Sequence, residues 1–176
     1  TKYALQIVGA SCQEEGCFSH IALLEDNKLR FISASPTEML NALKVLEIDL
    51  KTSPKKSIAG RAIITGQSQN IPDVRSDPDY ITARENIHSQ LSVPLKVGNR
   101  IIGVLSIEHP KSAVFGEEDV YNIELLAAQA AVAIENAHLY EETKRRAEHL
   151  EALRSTTLAI TSPLDRDTLL RAIVQQ

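Results

Sequence analysis

The chain has no tryptophan, one methionine, three phenylalanines and four tyrosines among 176 residues. So few aromatics leave little of the stacking surface on which single-stranded nucleic acids bind. Basic clusters are equally scarce: no Lys/Arg run is longer than Lys144-Arg145-Arg146, and the formal charge is −4. A phosphate-neutralising face is therefore missing, and no nucleic-acid partner is expected. The longest uncharged apolar stretch, Leu125 to Ile134, falls short of the roughly 20 residues that span a bilayer. The first residues carry no signal-peptide pattern. A cytoplasmic chain without membrane contact is expected. The two cysteines, Cys12 and Cys17, are too few for a disulfide framework and lack zinc spacing. Buried reduced thiols are the expectation, with a redox-sensing pair as the alternative.

What is present suits an ordinary globular fold, with 43% apolar and 24% charged residues. Helical spacing runs from Lys2 to about Cys12. Two β-prone runs then flank Glu25-Asp26-Asn27, whose Asp-Asn pair suits a tight turn, so a hairpin is predicted. Ser35-Pro36-Thr37-Glu38 has helix-start chemistry, with Met39, Leu40, Leu43, Val45 and Leu46 as the apolar face. In Ser57 to Gly66, Ile58, Ala62 and Ile63/Ile64 share one side of a helix that Gly66 can end in the left-handed conformation. Gln69 to Ile71 reads as a short strand stopped by Pro72. Asp73 to Asn86, rich in Asp, Pro and Ser, reads as a long surface loop, a common seat of function. Alternation on both sides of Gly98-Asn99 predicts a second hairpin.

No Gly or Pro interrupts Glu117 to Ser162, a run that as continuous helix extends roughly 70 Å. Val120, Ile123, Leu126/Ala127, Ala130, Ile134 and Ala137 form a stripe suited to packing on the sheet. Further on, Tyr140, Thr143, Ala147, Leu150, Leu153, Thr157 and Ile160 recur at intervals of 3, 4, 3, 3, 4 and 3, a heptad-like seam. Lys144-Arg145-Arg146 reads as the solvated face of this helix. After Pro163 a further amphipathic helix begins.

The segments SIAGRAIITGQSQNIPDV (57–74), DPDY (77–80), SQLSVPLKVGNRIIGVLSIE (89–108) and FGEEDVYNIELLAAQAAVAIENAHLY (115–140), in that order, resemble the GAF family. The resemblance implies an α+β, GAF/PAS-like fold: a central antiparallel sheet, helices on both faces and a long C-terminal signalling helix. It places a GAF domain at residues 1–138 and a helical linker into a following domain, taken as a second GAF, at 139–176. Gly60 and Gly103 are then expected to permit close helix packing, and Pro94 to stand where no ladder donor is needed. Tandem sensors such as sensor histidine kinases carry such arrays.

Members of the family bind bilins, cyclic nucleotides, haem or small metabolites, and the diagnostic residues are missing for the first two. Tyr80 to Ser89 contains His88 but no cysteine for covalent bilin attachment, and Asn27-Lys28 lies in a turn with no nucleotide signature after it. His88 reads as a surface residue rather than a haem ligand, and Asp73, Asp77 and Asp79 as turn-capping residues rather than calcium ligands. No metal and no assigned cofactor are expected, only an unidentified small molecule. Methionine sulfoxide reductases of this fold use several cysteines in the pocket loops, and this loop has none. Together with the lack of a catalytic constellation, this leads to the expectation that the domain is not an enzyme. It is expected instead to be a non-catalytic sensory module of a two-component or related signalling protein. That module dimerises through the seam from Tyr140 to Ile160 and relays ligand or partner state to an output domain. The alternatives are a ligand-free dimerising scaffold, or a thiol redox sensor or enzyme using Cys12 and Cys17. Between the sheet and the lid of helix 57–66 and loop 73–86, the expected pocket residues are Phe31, Ile71, Tyr80, Ile81 and Ile87.

Overall fold

The computed structural model describes residues 16–46, 48–52, 57–81 and 86–161, the side chains of 155–161 excepted. The expected helices at 2–12 and after Pro163 lie outside these residues, as does Cys12. Two compact units divide the chain, residues 1–134 and 135–176.

In the first unit, strands β1 (Phe18–Glu25), β2 (Lys28–Ser35), β3 (Gln69–Ile71), β4 (Ser89–Val97) and β5 (Arg100–His109) form one sheet in the order β2-β1-β5-β4-β3. Every pairing is antiparallel. Asp26 and Asn27 turn the first hairpin with φ of 48° and 65°, values that Asp and Asn tolerate better than most residues. Gly98, at φ 59°, turns the second. Pro94 stands opposite Val104 in β4, beyond the point where β3 ends against Ser92, so no neighbour on the β3 side needs its missing N–H.

Helix α1 (Met39–Lys44) stops one residue before Val45, which is 80% exposed rather than part of the expected apolar face. Helix α2 (Ile58–Thr65) is framed as its sequence suggests. Ser57 Oγ accepts from the Gly60 N–H at 2.9 Å, and Gly66 closes the helix in the left-handed region. Ile58, Ala59, Ala62 and Ile63 are buried, whereas Ile64 points away and is exposed.

Strand alternation sends side chains to two faces. On one face Ile21, Leu91, Val93, Leu95, Leu105 and Ile107 pack with Ile123, Ala127 and Ala131, which belong to the early turns of helix α3 (Glu117–Thr161). On the other face Phe18, Ala22, Phe31, Ala34 and Val104 meet Leu43 of α1 and Ala59, Ala62 and Ile63 of α2. The α+β architecture with helices on both faces is thus as expected. Gly103 has a different purpose from the one anticipated. A Cβ there would lie 2.3 Å from the carbonyl oxygen of Ala22, so the glycine admits the neighbouring strand β1, not a helix.

The second unit is helical through Thr161. Within it Tyr140, Thr143, Ala147, Leu150 and Leu153 are exposed, Tyr140 by 69% and Leu150 by 66%. Thr157 and Ile160 are helical, and their side chains lie outside the description. Arg146 pairs with Glu142 one turn earlier, which places part of the basic triplet on the solvated face. Among the described residues, no helix is long and apolar enough to cross a membrane.

Candidate functional site

The face of the sheet covered by α1 and α2 carries polar side chains where an ordinary core would be apolar. His20 on β1, Gln90 and Ser92 on β4, and Ser106 and Glu108 on β5 are all buried, none more than 5% exposed. The register explains their meeting. Phe18 and Gln90 both stand opposite Glu108, and His20 and Ser92 both stand opposite Ser106, so two cross-strand rows lie side by side. Gln90 Nε2 donates to Ser92 Oγ at 3.0 Å, and the Ser92 and Ser106 hydroxyls share a hydrogen bond of 2.8 Å.

Above this floor lies a cavity lined by His20, Gln90 and Glu108 below and by Phe31, Leu43, Ile48, Ile58 and Ile81 on its walls. Ser57 and Ala59, at the start of α2, complete its rim. Its empty space is about 360 Å³, part of it open to solvent. The enclosed part is narrow, so seating anything larger than a few waters requires wall side chains to move. Apolar walls around a few converging polar groups are the general composition of small-molecule sites.

His20 is the most unusual member. Its ring sits between Phe18 and Phe31, at centroid distances of 5.3 and 5.2 Å. Among the described residues nothing hydrogen-bonds its Nδ1. Burial pushes the imidazole down to about 4, so it is neutral at physiological pH. Tyr80 is pushed the other way, up to about 12, first by burial and then by the nearby Glu108 carboxylate, and it therefore keeps its proton.

The loop beside the cavity is pinned to α2. Arg61 binds Asp77 through two hydrogen bonds of 2.6 and 3.1 Å, reaches Asp79 at 2.9 Å and donates to Gln69 at 3.0 Å. The hydrogen bond from Arg61 holds the Asp77 carboxyl below its usual range. Asp73 accepts from the Arg75 amide and side chain, which lowers it to about 2. Asp73 and Asp77 therefore cap turns, with Asp77 also accepting from the Asp79 amide. Among the described residues no group of His, Cys, Asp and Glu is arranged to hold a metal ion. His88 lies just before β4, its backbone bonded to His109 and Val74.

Of the pocket residues expected from sequence, Phe31 and Ile81 line the cavity. Ile71, Tyr80 and Ile87 instead pack beside it in a small cluster with Ile58 and Val74. The polar floor was not anticipated. Its signal lies in SQLSVPL and VLSIEH, where Gln90, Ser92, Ser106 and Glu108 alternate with Leu91, Val93 and Ile107, whereas His20 follows Ser19 directly and shows no such pattern. Such alternation also describes a sheet with one face in water, and only the covering helices distinguish the two cases. Cys17 packs on the opposite side, in the cluster of Ile21, Leu105 and Ile107, so its thiol is not in the cavity.

The family model for the GAF domain matches residues 4–135. The free methionine-R-sulfoxide reductase of Escherichia coli (strain K12) is 34% identical over 74 residues, which cover 42% of this chain and 45% of that protein. The chain thus spans under half the length of the curated relatives it matches. Among solved structures, the reduced form of the Staphylococcus aureus enzyme fRMsr superposes with a TM-score of 0.52 at 25% identity, covering 62% of this chain and 66% of that one. The GAF domain of a phosphoenolpyruvate-protein phosphotransferase from Coxiella burnetii shares the fold, with a TM-score of 0.61 at 19% identity, over 71% and 75% of the two chains.

These relatives correct the functional expectation. A non-catalytic sensor of the two-component kind was inferred from the resemblance, and catalysis was set aside because the 73–86 loop lacks cysteine. Proteins similar to this chain include free methionine-R-sulfoxide reductases, so the likeness carries no presumption against enzymatic activity. A missing loop thiol excludes only a reductant placed in that loop, and the fold does not decide the chemistry. The chain belongs to the GAF domain family.

Proposed function

We propose that this GAF-family chain is a small-molecule redox domain that reduces a free amino-acid sulfoxide of the methionine sulfoxide class. The observation that carries this reading is the cavity itself, where an uncharged imidazole, an amide and a carboxylate converge beneath apolar walls. Its composition suits a molecule with a polar head and a short apolar stem. Similarity to a free methionine-R-sulfoxide reductase supports the same class.

Reduction requires two electrons and a destination for the oxygen. With Cys17 packed on the other side of the sheet, Cys12 is the candidate attacking thiol. Oxygen passes from the sulfoxide sulfur to the Cys12 sulfur, giving the sulfide and a cysteine sulfenic acid. A thiol reductant condenses with that sulfenic acid and releases water. A second reductant thiol then frees Cys12 and leaves the reductant as its disulfide.

The test is turnover of free L-methionine-R-sulfoxide with dithiothreitol, followed as methionine by chromatography. The native chain is expected to form methionine, Cys17→Ser to keep its rate within about twofold, and Cys12→Ser to lose at least about tenfold. No methionine from the native chain overturns the reading, and full activity in Cys12→Ser overturns the thiol assignment.

Residues 139–176 serve on this account as a helical linker into a following domain, with two chains paired along it. The exposure of Tyr140, Leu150 and Leu153 supports pairing. Sedimentation equilibrium is expected to give a dimer, and Leu150→Glu a monomer. A native chain that stays monomeric at high concentration contradicts pairing.

A further inference from the structure

A buried hydrogen-bonding nitrogen without a partner is costly, and proteins retain few of them. His20 is such a case: it is 4% exposed, its ring is held between Phe18 and Phe31, and no described residue bonds its Nδ1. The two phenyl rings would hold a third phenyl ring equally well, so packing alone does not call for an imidazole there. The ring also borders the cavity, beside Gln90 and Glu108.

We propose that His20 is the specificity-determining residue of this cavity, hydrogen-bonding the oxygen of a bound sulfoxide and so selecting substrate over the sulfide product. The inference rests on the sulfoxide reading of the site. A neutral imidazole carries one N–H donor and one acceptor nitrogen. Burial keeps His20 in that uncharged form. A sulfoxide oxygen is a strong acceptor, whereas a thioether sulfur of the same shape accepts only weakly. Binding sulfide would leave the imidazole N–H unpaired, and a site built to bond a polar group rejects the analogue lacking it. The preference gives the reaction a direction at the binding step, since product is held less tightly than substrate. His20 is thus assigned to recognition, with the oxygen transfer itself left to a thiol.

The experiment is calorimetric titration, in a Cys12→Ser background that cannot consume the sulfoxide, of the chain with its native His20 and of His20→Phe, with L-methionine-R-sulfoxide and with L-methionine. One buried neutral hydrogen bond corresponds to about tenfold in affinity. The chain with His20 is expected to favour the sulfoxide by about that factor. His20→Phe is expected to bring the two affinities within about twofold, chiefly by weakening the sulfoxide. An unchanged ratio in a folded His20→Phe, with the sulfoxide still bound by the chain with His20, overturns the assignment and leaves the sulfoxide reading intact. A chain with His20 that binds neither molecule overturns both.

A second measurement does not depend on the variant's folding. In nitrogen-15 spectra of the native imidazoles, the sulfoxide is expected to move the His20 ring resonances and methionine to leave them nearly unchanged. Equal shifts with both ligands contradict the selective bond.

Discussion

The two faces of the sheet are built from the same three central strands, yet one of them gathers buried polar groups around a cavity. Toward the early turns of α3 those strands present Ile21, Leu91, Val93, Leu95, Leu105 and Ile107, an apolar surface filled by isoleucine and alanines. Toward α1 and α2 they present His20, Gln90, Ser92, Ser106 and Glu108, equally buried, beside the apolar Phe18, Ala22 and Val104. Burying each apolar side chain contributes about 1.5–3 kcal/mol, whereas each polar group must recover its desolvation through a hydrogen bond to contribute anything. Ligand chemistry is therefore concentrated on the α1/α2 side, whose apolar residues also contribute stability, and changes at the polar floor and at the α3 side should have separable effects.

The largest difference is expected from the apolar face. Leu105→Ala, at a position 1% exposed, should cost about 3–4 kcal/mol in urea denaturation while leaving the affinity of the folded fraction unchanged. A loss below about 1 kcal/mol would mean that this face is less tightly packed than its burial implies.

The polar face should announce itself through pH. His20 has a folded value of about 4 against about 6.5 when unfolded, so the unfolded chain takes up the proton first. Its neutral form is accommodated fully above pH 6.5, and stability falls as pH drops from there toward 4, by on the order of 3 kcal/mol. Asp73 and Asp77, both lowered, lose their contributions below this window, as pH falls from about 4 downward. His20→Phe should flatten the stability profile between pH 6.5 and 4.5 specifically. A native profile that is already flat there would place the imidazole in contact with water.

Gly103→Ala probes the strand contact beneath both faces. Its Cβ would stand 2.3 Å from the Ala22 carbonyl oxygen, backbone that cannot swing aside, so a loss of about 2 kcal/mol is expected on thermal unfolding. The smallest effect belongs to Ser106→Ala. It removes one hydroxyl–hydroxyl bond and leaves Ser92 still bonded to Gln90, at about 1 kcal/mol.

Much of this fold was legible because its punctuation is local. Asp26-Asn27, Gly98, Ser57 and Gly66 act on their immediate neighbours, and each stands where its chemistry suggests. Cavity residues depend on which elements cover which face, a matter of tertiary packing. Phe31 and Ile81 line the cavity, while Ile71, Tyr80 and Ile87 lie one cluster aside with Ile58 and Val74. His20 was overlooked for a related reason, since a polar residue in a strand looks like a solvent position until helices cover it. The Arg61–Asp77–Asp79 linkage was equally hidden, its members being up to 18 residues apart. The functional expectation failed at another level, where the absence of cysteine from one loop was taken as the absence of a chemistry.

The division between the faces is tested most directly by methyl spectra of the native chain titrated with free L-methionine-R-sulfoxide. Methyl resonances of Leu43, Ile48, Ala59 and Ile81, which line the cavity, should shift, while those of Leu105, Ile107, Ala127 and Ala131 stay in place. Shifts confined to the second group, or none in either, would contradict a ligand site on the polar face.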